Sequence, residues 1–257
     1  MLYWLFKWFA VAPALRLVCR PWVEGAENLP DEGPAILASN HLSAGDTVLL
    51  PAMIGRRVTF PAKAELFHGR GFRGRLTTLF LKSIGQKSMD RSGGRASATS
   101  MDGVLEVLEE GHLLGIYPEG TRSPDGRLYK GKTGTARLVL RSGVPVIPVA
   151  MFATQAVRSR FFGFPIMRRP GIRIGKPLDF TRYASAGSDR DVLRWVTDEI
   201  MNAIMELSGQ EYVDAYAISV KTARAEGREL VAATAPRPGF GRPVPPVPVT
   251  LSSGSSR

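Results

Sequence analysis

Gly33-Pro34 and Gly55 bracket the stretch that most narrows what this chain can fold into. Ala35-Ile36-Leu37-Ala38-Ser39 is a short, continuous apolar run and predicts a buried strand. Asp46-Thr47 then opens the apolar run Val48-Leu49-Leu50-Pro51-Ala52-Met53-Ile54, which carries helix start and stop signals. His41 therefore stands at the exit of a strand and Asp46 at the head of a helix. On one continuous helix the two would point about 140° apart. A loop between strand and helix can instead fold the carboxylate back onto the imidazole. Held through one ring N–H, the histidine keeps its other nitrogen free as a general base. The plainer alternative is an aspartate that caps a helix beside a turn histidine.

A chain of 257 residues, 44% hydrophobic and 22% charged, has an ordinary globular composition. The expected fold class is α/β: a single domain with a mixed, mostly parallel central sheet flanked by helices. The one cysteine, Cys19, excludes an intrachain disulfide framework. His41, His68 and His112 are scattered with no His-x-x-x-His pair, so neither a metal nor a cofactor is expected.

The net charge of +11 is unevenly spread. Ten basic residues lie between Arg56 and Arg95 against Glu65 and Asp90. Six more, from Arg158 to Lys176, meet no acid and are interleaved with Phe161, Phe162, Phe164 and Met167. Basic side chains mixed with large apolar ones suit an anionic membrane surface. Nucleic acid is the rival partner, but no helix-turn-helix, zinc-finger or RRM pattern accompanies them, and it is not expected to bind. A merely solubilising face is the third reading. Residues 1–20 are apolar apart from Lys7, Arg16 and Arg20, and these charges with Pro13 leave no run long enough to span a bilayer. Trp4, Trp8 and Trp22 favour an interface. Residues 1–22 are thus expected to be a membrane-anchoring helical segment in the cytoplasmic leaflet of the cell membrane, with packing on the protein's own core as the alternative.

Downstream, Arg57 to Pro61 predicts a second strand and Leu66 to Ile84 a basic amphipathic helix, and Ile84 to Met89 a strand that delivers Asp90-Arg91 to its end. Gly69 to Gly74 matches the dinucleotide glycine pattern and Gly126 to Thr133 the spacing of a Walker A loop, but neither follows directly on a buried strand. A helix with Val104, Leu105 and Leu108 inward stops at Gly111. His112 to Tyr117 is the next buried strand, and it runs into Pro118-Glu119-Gly120-Thr121-Arg122-Ser123. Polar chemistry thus again sits at the C-terminal end of a strand, where open α/β sheets place their ligands. An arginine beside glycine and hydroxyl residues suits a phosphate, and an ordinary turn is the alternative. Thr135 to Arg141 predicts a helix, and Val144 to Ala150 a strand whose two prolines point to an edge position or a bulge. Val192, Trp195, Val196, Ile200, Ala203, Ile204 and Leu207 mark one face of a long helix. The domain is expected over residues 23–220, followed by a basic, Pro/Ser-rich tail, 221–257, without fixed structure.

Four stretches in this order resemble one pattern: Asn40-His41-x4-Asp46, Asp90-Arg91, Tyr117-Pro118-Glu119-Gly120-Thr121-Arg122-Ser123, and Val144-Pro145-Val146-Ile147-Pro148-Val149. They are similar to the four blocks of the glycerolipid acyltransferases, specifically the 1-acylglycerol-3-phosphate acyltransferase family. Ala44-Gly45 stands where that family often carries a bulky aromatic, and Tyr117 where Phe is more common. The resemblance implies transfer of a fatty acyl group from acyl-CoA or acyl-carrier protein to the free hydroxyl of a lysophospholipid, most directly 1-acylglycerol-3-phosphate. It further implies that Arg91, Glu119, Gly120, Thr121 and Arg122 bind the acceptor's phosphate and that Val144 to Pro148 shape the cleft. The residue chemistry agrees, because an alcohol attacks once a base such as His41, held by Asp46, takes its proton. No enzyme nucleophile is required, so direct transfer is expected. A lipid or thioester hydrolase using the same pair on water, transfer to another lysolipid or a polyol phosphate, and a membrane-binding module without chemistry are the alternatives.

Overall fold

The computed structural model describes residues 4, 7–63, 86–89, 95–158, 165–228, 230 and 233–248. After a π-helical turn at Lys7–Val11, the helices are α1 (Ala12–Cys19), α2 (Asp46–Met53), α3 (Arg95–Glu109), α4 (Gly134–Ser142), α5 (Arg190–Ser208) and α6 (Ala217–Ala225). The strands are β1 (Trp22–Glu24), β2 (Ala35–Ser39), β3 (Val58–Lys63), β4 (Gln86–Met89), β5 (Leu113–Ile116), β6 (Leu128–Tyr129), β7 (Val146–Phe152), β8 (Ala156–Arg158), β9 (Pro165–Met167), β10 (Gly171–Ile174), β11 (Tyr212–Val213) and β12 (Thr234–Ala235). The helix expected over 66–84, Arg91, and the aromatics Phe161, Phe162 and Phe164 lie outside the described residues.

Seven strands form the central sheet in the order β1-β10-β7-β2-β5-β3-β4. All neighbours run parallel except β10 and β7. All five residues of β2 are buried, because the period of two sends them to two different cores. Ile36 and Ala38 face one core with Val104, Val107 and Leu108 of α3 and Leu138 to Leu140 of α4; the long helix α5 adds Val192, Val196, Ile200 and Ile204. Ala35 and Leu37 face the other core, with Leu49 and Leu50 of α2. Helix α2 carries the chain from β2 outward to β3, whereas α4 carries it from β5 back past β2 to β7. Adjacent strands β2 and β5 thus leave the sheet in opposite directions and over opposite faces. That reversal opens a crevice beyond their C-terminal ends, the place where such sheets hold ligands.

Two expectations are corrected here. The proline-bearing strand β7 is central, flanked by β10 and β2. Its Pro148 is tolerated because its carbonyl, and hence its missing N–H, points toward β10 at the point where that strand has ended; Gly175 N–H still donates to Pro148 O at 2.8 Å. The C-terminal stretch also carries structure. Helix α6 crosses residue 220, β12 pairs antiparallel with β11, the Tyr183 hydroxyl donates to Pro245 O at 3.2 Å, and Arg242 reaches Asp198.

The N-terminal segment is docked on the domain while keeping an apolar outer side. Lys7 is buried, and its ammonium donates to Ile54 O, at the C-terminal end of α2, and to Arg56 O at 3.1 Å. Burial lowers the Lys7 pKa to about 8. Ala12 and Cys19 are buried, whereas Phe9 and Leu17 are 80% and 82% exposed. Among the described residues no helix is long and apolar enough to cross a membrane.

Gly115 in β5 is required by packing, since a Cβ there would overlap the Phe60 ring. Gly115→Ala should therefore destabilise the fold by about 1–3 kcal/mol. Thermal unfolding would show this as a drop of several degrees, and an unchanged midpoint would mean that Phe60 has room to retreat.

Candidate active site

His41 follows directly on β2, and the turn after it is closed by Asp46. One carboxylate oxygen of Asp46, Oδ2, accepts from His41 Nδ1 at 2.8 Å, from Leu42 N–H at 2.7 Å and from Ser43 N–H at 2.9 Å. Asp46 is fully buried, and the His41 side chain is 15% exposed. Because a carboxylate only accepts, Nδ1 must carry the proton, which leaves Nε2 as the nitrogen with a free lone pair. The aspartate is also the first residue of α2, but Gly45 is the N-cap and no side chain caps the helix; the Asp46 carboxylate instead closes the preceding turn.

The β5 loop holds the histidine from other sides. Tyr117 stacks on the imidazole with ring centroids 3.8 Å apart and 9° between planes, and Phe60 stacks on Tyr117 at 5.2 Å. Ser123 N–H donates to His41 O at 2.7 Å. Glu119 is 1% exposed; its Oε1 accepts from His41 N–H at 3.2 Å and its Oε2 from Tyr129 N–H at 3.0 Å. Burial pushes the Glu119 carboxyl up to about 8, while the two backbone donors and Lys221 pull it down. Asn40 fixes the exit of β2 on the other flank: its Oδ1 accepts from Met151 N–H at 2.7 Å, and its Nδ2 donates to Met151 O at 3.2 Å and to Gln210 Oε1 at 2.7 Å.

Beside this pair lies an apolar cavity of about 640 Å³, walled by Ala14, Leu15 and Val18 of α1, by Ala44, Gly45 and Val48, and by Ile166 and Met167, with Arg122 and Ser43 on its polar side. The small residues at 44 and 45 keep it open. A Cβ on Gly45 would strike Thr154 O and Met167 Sδ. Ser43 is fixed there, its hydroxyl donating to Thr154 O at 2.7 Å and accepting from Gly45 N–H at 2.9 Å.

The structure thus brings His41, Asp46, Glu119, Gly120, Thr121 and Arg122 together at adjacent strand ends, while Arg91 lies outside the described residues. Glu119, expected among the phosphate-binding residues, is instead enclosed beneath the loop and organises its backbone. Gly120 takes φ +72°, the left-handed region that favours glycine, and Lys132 lies over the space a Cβ would fill. Arg122 is exposed and has no hydrogen-bond or ion-pair partner among the described residues, and both Glu119 oxygens are taken by backbone N–H groups. Sequence reasoning missed Tyr117 as a stacking partner, Asn40 as a brace, and Lys221 of α6, whose Nζ donates to Thr121 Oγ1 at 3.1 Å. The spacing of Ala217, Val220 and Ala223 was the available signal for α6.

A strand-end His–Asp pair, a glycine-bearing polar loop and an apolar cavity thus share one crevice. The Acyltransferase family model matches residues 20–152, and the chain belongs to that family. It is similar to the 1-acyl-sn-glycerol-3-phosphate acyltransferase of Bacillus subtilis, at 27% identity over 210 residues, 80% of this chain and 98% of that one. The same-named protein of Pseudomonas aeruginosa is 32% identical over 133 residues, 52% of this chain and 49% of that one. That of Borreliella burgdorferi is 28% identical over 132 residues, 51% of each chain. The chain thus spans about half the length of these last two relatives. The crystal structure of the 1-acyl-sn-glycerophosphate acyltransferase PlsC from Thermotoga maritima shares the fold, with a TM-score of 0.56 at 24% identity over 77% of this chain and 75% of that one.

Among the described residues the Tyr117 hydroxyl is buried without a partner. The stack on His41 needs only the ring. Tyr117→Phe should therefore keep turnover within about threefold and raise stability by about 1 kcal/mol, since an unpaired buried hydroxyl is costly. Loss of activity beyond tenfold would assign the hydroxyl a chemical role.

Proposed function

We propose that the protein is a membrane-associated O-acyltransferase that moves a fatty acyl group from acyl-CoA or acyl-carrier protein to 1-acylglycerol-3-phosphate, forming phosphatidic acid. The observation that carries this reading is the His41–Asp46 pair set between a phosphate-suited loop and an apolar cavity. The acceptor's hydroxyl oxygen attacks the thioester carbonyl while His41 Nε2 takes its proton. The carbon–sulfur bond then breaks, and the leaving thiolate takes that proton back. Asp46 holds the ring and stabilises the imidazolium formed in between. Neither a covalent acyl-enzyme nor a cofactor is needed.

The acyl chain fits the cavity behind Ser43 to Val48, whose walls are apolar. Exposed Phe9 and Leu17, with Trp4 and Trp8 and the basic Arg16 and Arg20 nearby, suit an anionic lipid surface on the cytoplasmic face of the cell membrane.

Purified protein given 1-acylglycerol-3-phosphate and an acyl thioester should yield phosphatidic acid, identified by mass. His41→Ala should abolish nearly all of it, and Asp46→Asn should lose about 10³-fold or more with the fold intact. Free fatty acid without new phospholipid would replace transfer by hydrolysis, and near-normal turnover of Asp46→Asn would leave that residue only the closure of the turn before α2.

Val48→Trp fills the cavity from α2. It should shift the preferred donor toward shorter chains, read as relative kcat/KM across a series of acyl lengths. An unchanged chain-length profile would place the chain elsewhere.

A further inference from the structure

Helix α6 is held on the domain by Ala217 and Val220, which pack with Tyr129 and Val213. That packing sets Lys221 over the loop after β5, although the residue lies beyond the segment matched by the family model. The half-buried ammonium donates to the Thr121 hydroxyl at 3.1 Å, a neutral partner. A lysine only donates, so the Thr121 oxygen is the acceptor in that bond and its own hydrogen is free to turn toward a ligand. Arg122 is close enough that its charge, after burial, lowers the Lys221 pKa. Among the described residues no carboxylate forms an ion pair with either cation, and the nearby Glu119 carboxylate is enclosed with both oxygens receiving backbone N–H groups. Two cations set together without a contacting acid repel each other, and an anion bridging them removes that cost.

We propose that Lys221 joins Arg122 as a cation of the phosphate site, and that with Arg122 and the Thr121 hydroxyl it takes the phosphomonoester of the acceptor. This rests on the acyltransferase reading for its substrate. The residue positions the acceptor and moves no proton.

The test uses the full chain with Lys221→Met and Lys221→Arg. The methionine variant should raise the KM for 1-acylglycerol-3-phosphate about tenfold while moving the KM of the acyl donor less than about twofold. The ratio of kcat/KM for this acceptor to that for 1-acylglycerol, which lacks the phosphate, should fall about tenfold, and the arginine variant should restore most of it. Equal losses on both acceptors would make Lys221 merely structural and overturn the proposal. So would a KM rise seen with acyl-CoA but not with an acyl thioester of dephospho-CoA, which would assign the cation to the donor. If the wild type transfers no acyl group, the functional reading fails, and calorimetric binding of a short-chain 1-acylglycerol-3-phosphate decides about Lys221 alone. Binding about tenfold weaker in the methionine variant supports the assignment, and equal binding overturns it.

Discussion

The site depends first on a single oxygen atom. Asp46 Oδ2 draws in an imidazole N–H and two consecutive backbone N–H groups, and burying a carboxylate is tolerable only with such company. Those bonds close the turn between β2 and α2, set the ring's protonation and hold the helix start in place together. The influence of that buried charge extends outward: it adds to burial in raising Tyr117 and Glu119. These two neighbours are thereby kept neutral more readily.

Backbone contacts then join two loops that are distant in sequence. His41 receives from Ser123 and donates to Glu119, so the β2 and β5 loops cannot shift independently. The sheet makes this possible by placing β2 and β5 side by side with shared direction. The matched family segment contains both loops, yet part of the polar rim comes from α6, outside it. The His41–Asp46 pair and the polar rim beside it therefore draw on different lengths of chain.

Much of this was legible in the sequence because it is local. Ala35 to Ser39, the Asp46 helix start and the strand ending at Tyr117 each carry their signal within a few residues, and their order fixes the α/β class. The features that escaped are those in which tertiary placement overrides local preference. Pro148 signals an edge, but the end of β10 removes the demand for its N–H. Lys7 looks like an interruption in an apolar segment, yet it serves α2, forty-seven residues later. Glu119 looks like a ligand in its hexapeptide, and only the packing of Tyr129 and His41 shows that its oxygens are occupied. The composition of the last residues suggests a free tail, and the contacts of Tyr183, Asp198 and β11 show where it is tied to the domain.

The N-terminal helix separates the cavity from the exterior by its own thickness. Leu15 and Val18 face inward across α1 while Leu17 faces outward, and Lys7 pins the preceding turn to the end of α2. A helix with its side chains is about 10–12 Å across. Any hydrocarbon phase that takes up Phe9 and Leu17 therefore lies about one helix diameter from the cavity wall, a distance shorter than an extended long-chain acyl group.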